Sequence, residues 1–258
     1  GLKVEFDDKN ANKDMSAQTI IMQQFKNDKK DLVFAISTPT AQAAMAQIDP
    51  ATPIVFASVS DPAGAGLVGK SNITGTSGAP EIESNLKLIK EAFPNAKKIG
   101  VLYNTSEQNS VVQVKMLKEL APKYGFEVIA ESSTNANEMV SALAKISKEI
   151  DVFYAIQDST LVTYFKNLSE KMNEQKIPII GSNEVFTNLG GLISQGTTDY
   201  QIGYRAGEMA VEILKNGKKP SDIKIESVQM PTISINKANM ELLGIKLPES
   251  VLSKAKIK

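Results

Sequence analysis

KIGVLYNTSEQNSVVQVKMLKELAPKYGFEVIAES (98–132) decides the fold. An apolar run, KIGVLYN (98–104), passes through a polar turn, Asn104-Thr105-Ser106-Glu107, into an amphipathic stretch, and a second run, FEVIAES (126–132), follows. Strand, helix and strand on this scale make a right-handed βαβ unit of a parallel sheet. The pattern recurs in both directions. LVFAIS (32–37), PIVFASV (53–59), VFYAI (152–156), IPIIGS (177–182) and GLISQGT (191–197) read as strands, as does KVEFDD (3–8). Several are apolar nearly throughout, as expected for parallel strands covered on both faces. Helical stripes lie between them: Ile82, Leu86, Ile89 and Phe93 form one, Leu161, Tyr164, Leu168 and Met172 another.

Three polar or extended segments interrupt the alternation. ITGTSGAP (73–80) separates two groups of βα units, and QGTTDYQIG (195–203) follows the last strong strand of the second. A helix with Ile202, Ala206, Met209 and Ile213 on one face comes next, and then VQMPTISINK (228–237). Three such crossings predict two lobes with a cleft between them: residues 1–77 plus 199–229, and residues 78–198 plus 230–258. The 258 residues suit two modest α/β domains.

Composition narrows the chemistry. Lys and Arg number 29, Asp and Glu 29, and the formal net charge is zero. That removes the electrostatic argument for nucleic acid. The chain has no Cys and no His, so it lacks a thiol nucleophile, thiolate metal ligands and the commonest general base. No catalytic residue, metal site or cofactor is predicted. GAGLVG (64–69) lacks the dinucleotide-binding order, and no Walker, zinc, EF-hand or G-x-S-x-G pattern is present. Arg205 is the only Arg, so any bound anion must be held mostly by backbone N–H groups and hydroxyls. No apolar run is long enough to span a membrane. Neither a signal region nor a lipobox Cys opens the sequence, so an exported protein is expected in processed or trimmed form.

Polar residues cluster after the strands. LVFAIS runs into Thr38-Pro39-Thr40, PIVFASV into Ser60-Asp61-Pro62, VFYAI into Gln157-Asp158-Ser159-Thr160, IPIIGS into Ser182-Asn183, and GLISQGT into Thr197-Thr198-Asp199. In open α/β sheets the carboxyl ends of the strands bind ligands, and helix N-termini there suit a carboxylate or phosphate. The same residue types are ordinary helix caps, and for Asp158 the N-cap reading stands beside the ligand reading. Among the aromatics near these ends, Phe56, Tyr154 and Phe186 read first as core, and Tyr103, last before a polar turn, is the preferred ligand contact.

AISTPTAQAAM (35–45), FASVSDPAGAGLV (56–68), ITGTSG (73–78), IGVLYNTSEQNSVVQVKMLKELA (99–121), TTDYQIGYRAGEMAVEILKNGKKPSD (197–222) and INKANMELLGIKLPES (235–250) carry a further signal. In order and over essentially the whole chain, they resemble the ABC-transporter substrate-binding protein family that includes tryptophan- and phenylalanine-binding lipoproteins. The resemblance implies a type I periplasmic-binding-protein architecture: two flavodoxin-like α/β lobes with parallel sheets, joined by three crossovers. It implies a receptor for a small ligand, an aromatic or other apolar L-amino acid, serving ABC permease subunits. Its location would be extracytoplasmic, either lipid-anchored at the outer face of a Gram-positive membrane or periplasmic. Carried over by position, the pocket includes Thr38, Thr40, Ser60, Asp61, Asn109, Ser110, Asp158 and Asp199, to which the strand ends add Tyr103 and Ser182. Asp158 would pair with an α-ammonium, and hydroxyls and helix N–H groups would hold the α-carboxylate.

The sequence departs from that family at one end. There, a strand and a helix precede the region matching GLKVEFDD, and that strand would lie between KVEFDD and LVFAIS. A parallel sheet without a central strand leaves two rows of backbone groups unpaired, so an N-terminally truncated chain is expected. Two other readings stay open: the sensing domain of a transcriptional regulator without its DNA-binding part, and a flavodoxin-like enzyme using carboxylates alone.

Overall fold

The computed structural model describes residues 3–12 and 14–258. In chain order the first elements are α1 (Met15–Asn27), β1 (Val33–Ile36), α2 (Thr38–Gln47), β2 (Ile54–Val59), β3 (Ile73–Ser77) and α3 (Ile82–Ala92). There follow β4 (Lys98–Asn104), α4 (Gln108–Leu120), β5 (Glu127–Ser133), α5 (Ala136–Ile146), β6 (Val152–Ala155) and α6 (Ser159–Glu174). Next come β7 (Ile179–Gly181), α7 (Glu184–Asn188), β8 (Ile193–Gly196) and α8 (Asp199–Asn216). The chain closes with β9 (Glu226–Ser227), β10 (Thr232–Ile235), α9 (Lys237–Leu243), α10 (Glu249–Leu252) and β11 (Ala255–Ile257). Contacts divide it into two units, Gly1–Ala79 with Asp199–Val228, and Pro80–Thr198 with Gln229–Lys258.

The first unit holds a parallel sheet in the order β1-β2-β3-β9. One face packs Val33, Ala35, Ile54 and Phe56 against Ala41 and Ala44 of α2 and Met22 of α1. The other packs Val55 and Ala57 against Ala206, Met209 and Ile213 of α8, so the sequence stripe on that helix is its buried face. On β1, Phe34 and Ile36 share this second face with Val55 and Ala57 but remain exposed, because α8 lies over β2 and β3.

Two expectations fail in this unit. KVEFDD (3–8) is not a strand: residues 3–10 are exposed and join no ladder, and an extended segment becomes a strand only where a neighbour takes its backbone groups. ITGTSGAP, read as a separator, instead supplies β3, buried along its whole length. Its hydroxyls make that burial tolerable. Thr74 Oγ1 donates to the Ile223 carbonyl (2.8 Å) and Thr76 Oγ1 to that of Ile202 (3.1 Å), which replaces the lost contacts with water. Gly75, at φ +156°, lets β3 approach β2; a Cβ there would overlap the Phe56 carbonyl oxygen. Gly75→Ala is expected to cost about 1–3 kcal/mol, as overpacking does, and to lower the urea midpoint without changing the m-value.

The second unit has a seven-stranded sheet in the order β11-β10-β8-β7-β6-β4-β5. The strands β5-β4-β6-β7-β8 are parallel and follow the flavodoxin-like order 2-1-3-4-5, with the switch point between β4 and β6. β10 runs antiparallel to β8, an addition to the parallel sheet the sequence predicts. Ile82, Leu86 and Ile89 of α3 lie in the core on one face. On the other face α6 buries Leu161, Phe165, Leu168 and Met172. Tyr164, placed on that stripe from sequence, is 42% exposed, and Phe165 takes its place edge-on to Phe186 at 4.8 Å between ring centroids.

Candidate ligand site

In the first unit, β1 delivers the chain to α2 through Ser37, a non-glycine residue at φ +80°. Such a conformation costs of order 1–3 kcal/mol and is kept where surrounding structure imposes it. The Ser37 N–H donates to the Ala57 carbonyl (3.0 Å), which turns the Thr38-Pro39-Thr40 turn away from the strand. Ser37 makes no side-chain cap. The N–H groups of Thr38 and Thr40 have no hydrogen-bond partner among the described residues, and Pro39 has none to offer. Thr40 Oγ1 accepts from Gln18 Nε2 (2.8 Å) and lies 3.3 Å from Ser37 Oγ. Ser58 at φ +61° marks a second strained serine, where the register between β2 and β3 shifts.

Ser60 and Asp61 follow β2. Asp61 Oδ1 accepts from the Gly64 N–H (2.9 Å), so one of its oxygens closes its own turn. Asp199 heads α8. It is exposed, and its carboxylate forms no ion pair or hydrogen bond with a described residue, yet the protein crowded around it pushes its pKa up by desolvation.

In the second unit the polar residues of the switch point converge and satisfy one another. Asp158, 1% exposed, caps α6: Oδ1 accepts from the Leu161 N–H (2.7 Å) and Oδ2 from the Asn104 N–H (2.7 Å). Burial pushes its pKa up, the Glu107 charge adds to this, and the backbone donors and Ser110 hydroxyl oppose it. Glu107 accepts from the N–H groups of Ser159 (2.9 Å) and Thr160 (3.0 Å). The three leading N–H groups of α6 are thus occupied by protein carboxylates. Gln113 clamps the Gln157 peptide on both sides, receiving its N–H (3.0 Å) and donating to its carbonyl (2.8 Å). Asn109 Nδ2 donates to the same carbonyl (2.9 Å), and Ser110 is fully buried.

The switch-point residues chosen from sequence therefore come together as a structural clamp. Asp158 serves as the N-cap of α6, with one oxygen accepting from Leu161 and the other from Asn104. Tyr103 is half-buried beside the main core, Phe56, Tyr154 and Phe186 lie wholly inside, and Ser182 is buried with a hydroxyl that has no hydrogen-bond partner among the described residues.

Sequence reasoning missed Glu81. It precedes α3, half-buried, and its Oε1 accepts from Thr197 Oγ1 (3.0 Å), which in turn accepts from the Met230 N–H (2.9 Å). Desolvation pushes the Glu81 pKa up, and the Thr197 hydroxyl and backbone oppose it. Its position directly after a glycine-rich crossing was the one available signal.

The family signal is unambiguous: the ABC transporter substrate-binding protein family matches residues 1–258. The chain belongs to that family. It is 39% identical over 250 residues to a tyrosine-binding protein of Clostridioides difficile, covering 95% of this chain and 72% of that one. A Streptococcus pneumoniae ABC domain solved with L-Trp is 32% identical with a TM-score of 0.91, over 98% of this chain and 89% of that one. A Vibrio cholerae conserved domain protein is 35% identical with a TM-score of 0.90, over 98% and 86%. The fold is that of the type I periplasmic binding proteins.

Proposed function

We propose that this chain is the ligand-capturing component of an ABC importer, that it binds an aromatic or other apolar L-amino acid, and that it performs no chemistry on it. The open first turn of α2 carries this reading. Thr38 and Thr40 present unpartnered N–H groups at a helix N-terminus, with hydroxyls alongside, and that arrangement suits a carboxylate without any arginine. The corresponding end of α6 is already filled by Glu107 and Asp158, so it is no rival seat. Ser60 and Asp61 after β2 and Asp199 at the head of α8 belong to the same unit and add polar groups to this reading. A tyrosine-binding relative and an L-Trp complex support the aromatic class. The chain works outside the cytoplasm, lipid-anchored or periplasmic, and hands its ligand to the permease subunits.

A thermal-shift screen tests the class of ligand. A ligand at a hundred times its Kd adds about 2.7 kcal/mol to the native state. Aromatic L-amino acids are expected to raise the midpoint, with sugars and nucleosides inert. Stabilisation by sugars alone would overturn the amino-acid assignment.

A further inference from the structure

We propose that Glu81 is the seat of the ligand's ammonium group, with Thr197 as the residue that positions it. The inference rests on the amino-acid reading of the function and adds a residue to it. Glu81 is a half-buried carboxylate with no lysine or arginine paired to it among the described residues. It has already lost part of its hydration, and a positive charge brought to it recovers that loss. Its Oε1 accepts from the Thr197 hydroxyl, and the Thr197 backbone also favours the charged carboxylate.

An ammonium group brings three donors, and the Glu81 carboxylate offers acceptors for them.

Asp199 is the competing carboxylate, and geometry ranks it second. Like Glu81 it is partly desolvated, but no described side chain holds it in place. Glu81 is instead fixed in place before a ligand arrives. Thr197 ties it to the Met230 backbone, and these three residues lie within two positions of the three places where the chain passes from one unit to the other.

The experiment compares L-tyrosine with its deaminated analogue, 3-(4-hydroxyphenyl)propionate, by calorimetric titration of wild type, Glu81→Gln, Asp199→Asn, Thr197→Val and Thr197→Ser. Glu81→Gln is expected to lose about tenfold or more in affinity for L-tyrosine, the scale of a charged hydrogen bond, with little change for the analogue. Thr197→Val follows in the same direction, and Thr197→Ser restores binding. Thermal melts identify any variant that has lost its fold. Equal loss for both compounds, no loss for either, or selective loss in Asp199→Asn in place of Glu81→Gln overturns the assignment. If the wild type binds neither compound nor any other aromatic amino acid, the ligand class itself is refuted.

Discussion

Asp158→Ala is expected to destabilise the chain by about 3 kcal/mol, a lost N-cap combined with buried donors left unmade. The residue is 1% exposed and serves two N–H groups from separate elements, Leu161 in its own helix and Asn104 at the end of β4. Truncation strands both. Asp158→Asn keeps one acceptor and turns an NH2 group toward the other donor, so its cost is expected to fall between wild type and Ala. Urea denaturation at neutral pH measures both, and an unchanged midpoint for Asp158→Ala would refute the capping role.

The pH dependence has a definite sign. Burial holds the folded-state pKa of Asp158 above its ordinary value. Between the unfolded and folded values the native state binds more protons, so this group's contribution is fully present below the unfolded pKa. It is lost as pH rises through the folded one. The gap between wild type and Asp158→Ala should therefore narrow as pH rises through that range. Asp7, Glu83 and Glu226 have lowered values and contribute in the opposite sense, so the comparison must be made between variants rather than on wild type alone.

Phe56→Ala is expected to cost about 3–5 kcal/mol, the range for emptying a buried aromatic site. Phe56 is 0% exposed in the centre of the first unit's sheet, with its ring beneath Gly75. The cavity cannot collapse easily, since β2 is hydrogen-bonded to β1 on one side and β3 on the other. Phe34, two strands away from β3 and 38% exposed, provides the contrast. Phe34→Ala is expected to change stability by only about 0.5 kcal/mol. Similar losses in the two variants, measured as urea midpoints, would mean that the two faces of the sheet are packed alike, against the burial difference between these rings.

The strand–helix alternation made the fold class and the family legible in the sequence, because apolar strands and helical stripes are periodic and local. Less regular signals misled. The β3 segment reads as a linker since Thr, Ser and Gly carry its burial, and only carbonyls from residues 202 and 223 explain how its hydroxyls are satisfied. KVEFDD has strand composition but no neighbour in the sheet. Tyr164 and Phe165 are adjacent aromatics, and a one-residue difference in helical phase decides which is buried.

The site was less legible for a related reason. Asp, Ser and Thr after a strand serve as caps or as ligand contacts with the same composition. Asp158 and Glu107 turn out to fill the α6 terminus, while Thr38 and Thr40 leave theirs open. Glu81 owes its environment to Thr197, 116 positions along the chain, and no local pattern announces such a pairing.

Whether the chain captures an aromatic amino acid is decided by calorimetric titration with L-tyrosine, L-tryptophan and L-phenylalanine, beside glucose and adenosine as controls. Saturable one-to-one binding of at least one aromatic L-amino acid, with no heat from the controls, is the expected outcome. Binding of a control compound with none of the three amino acids bound would refute the assignment.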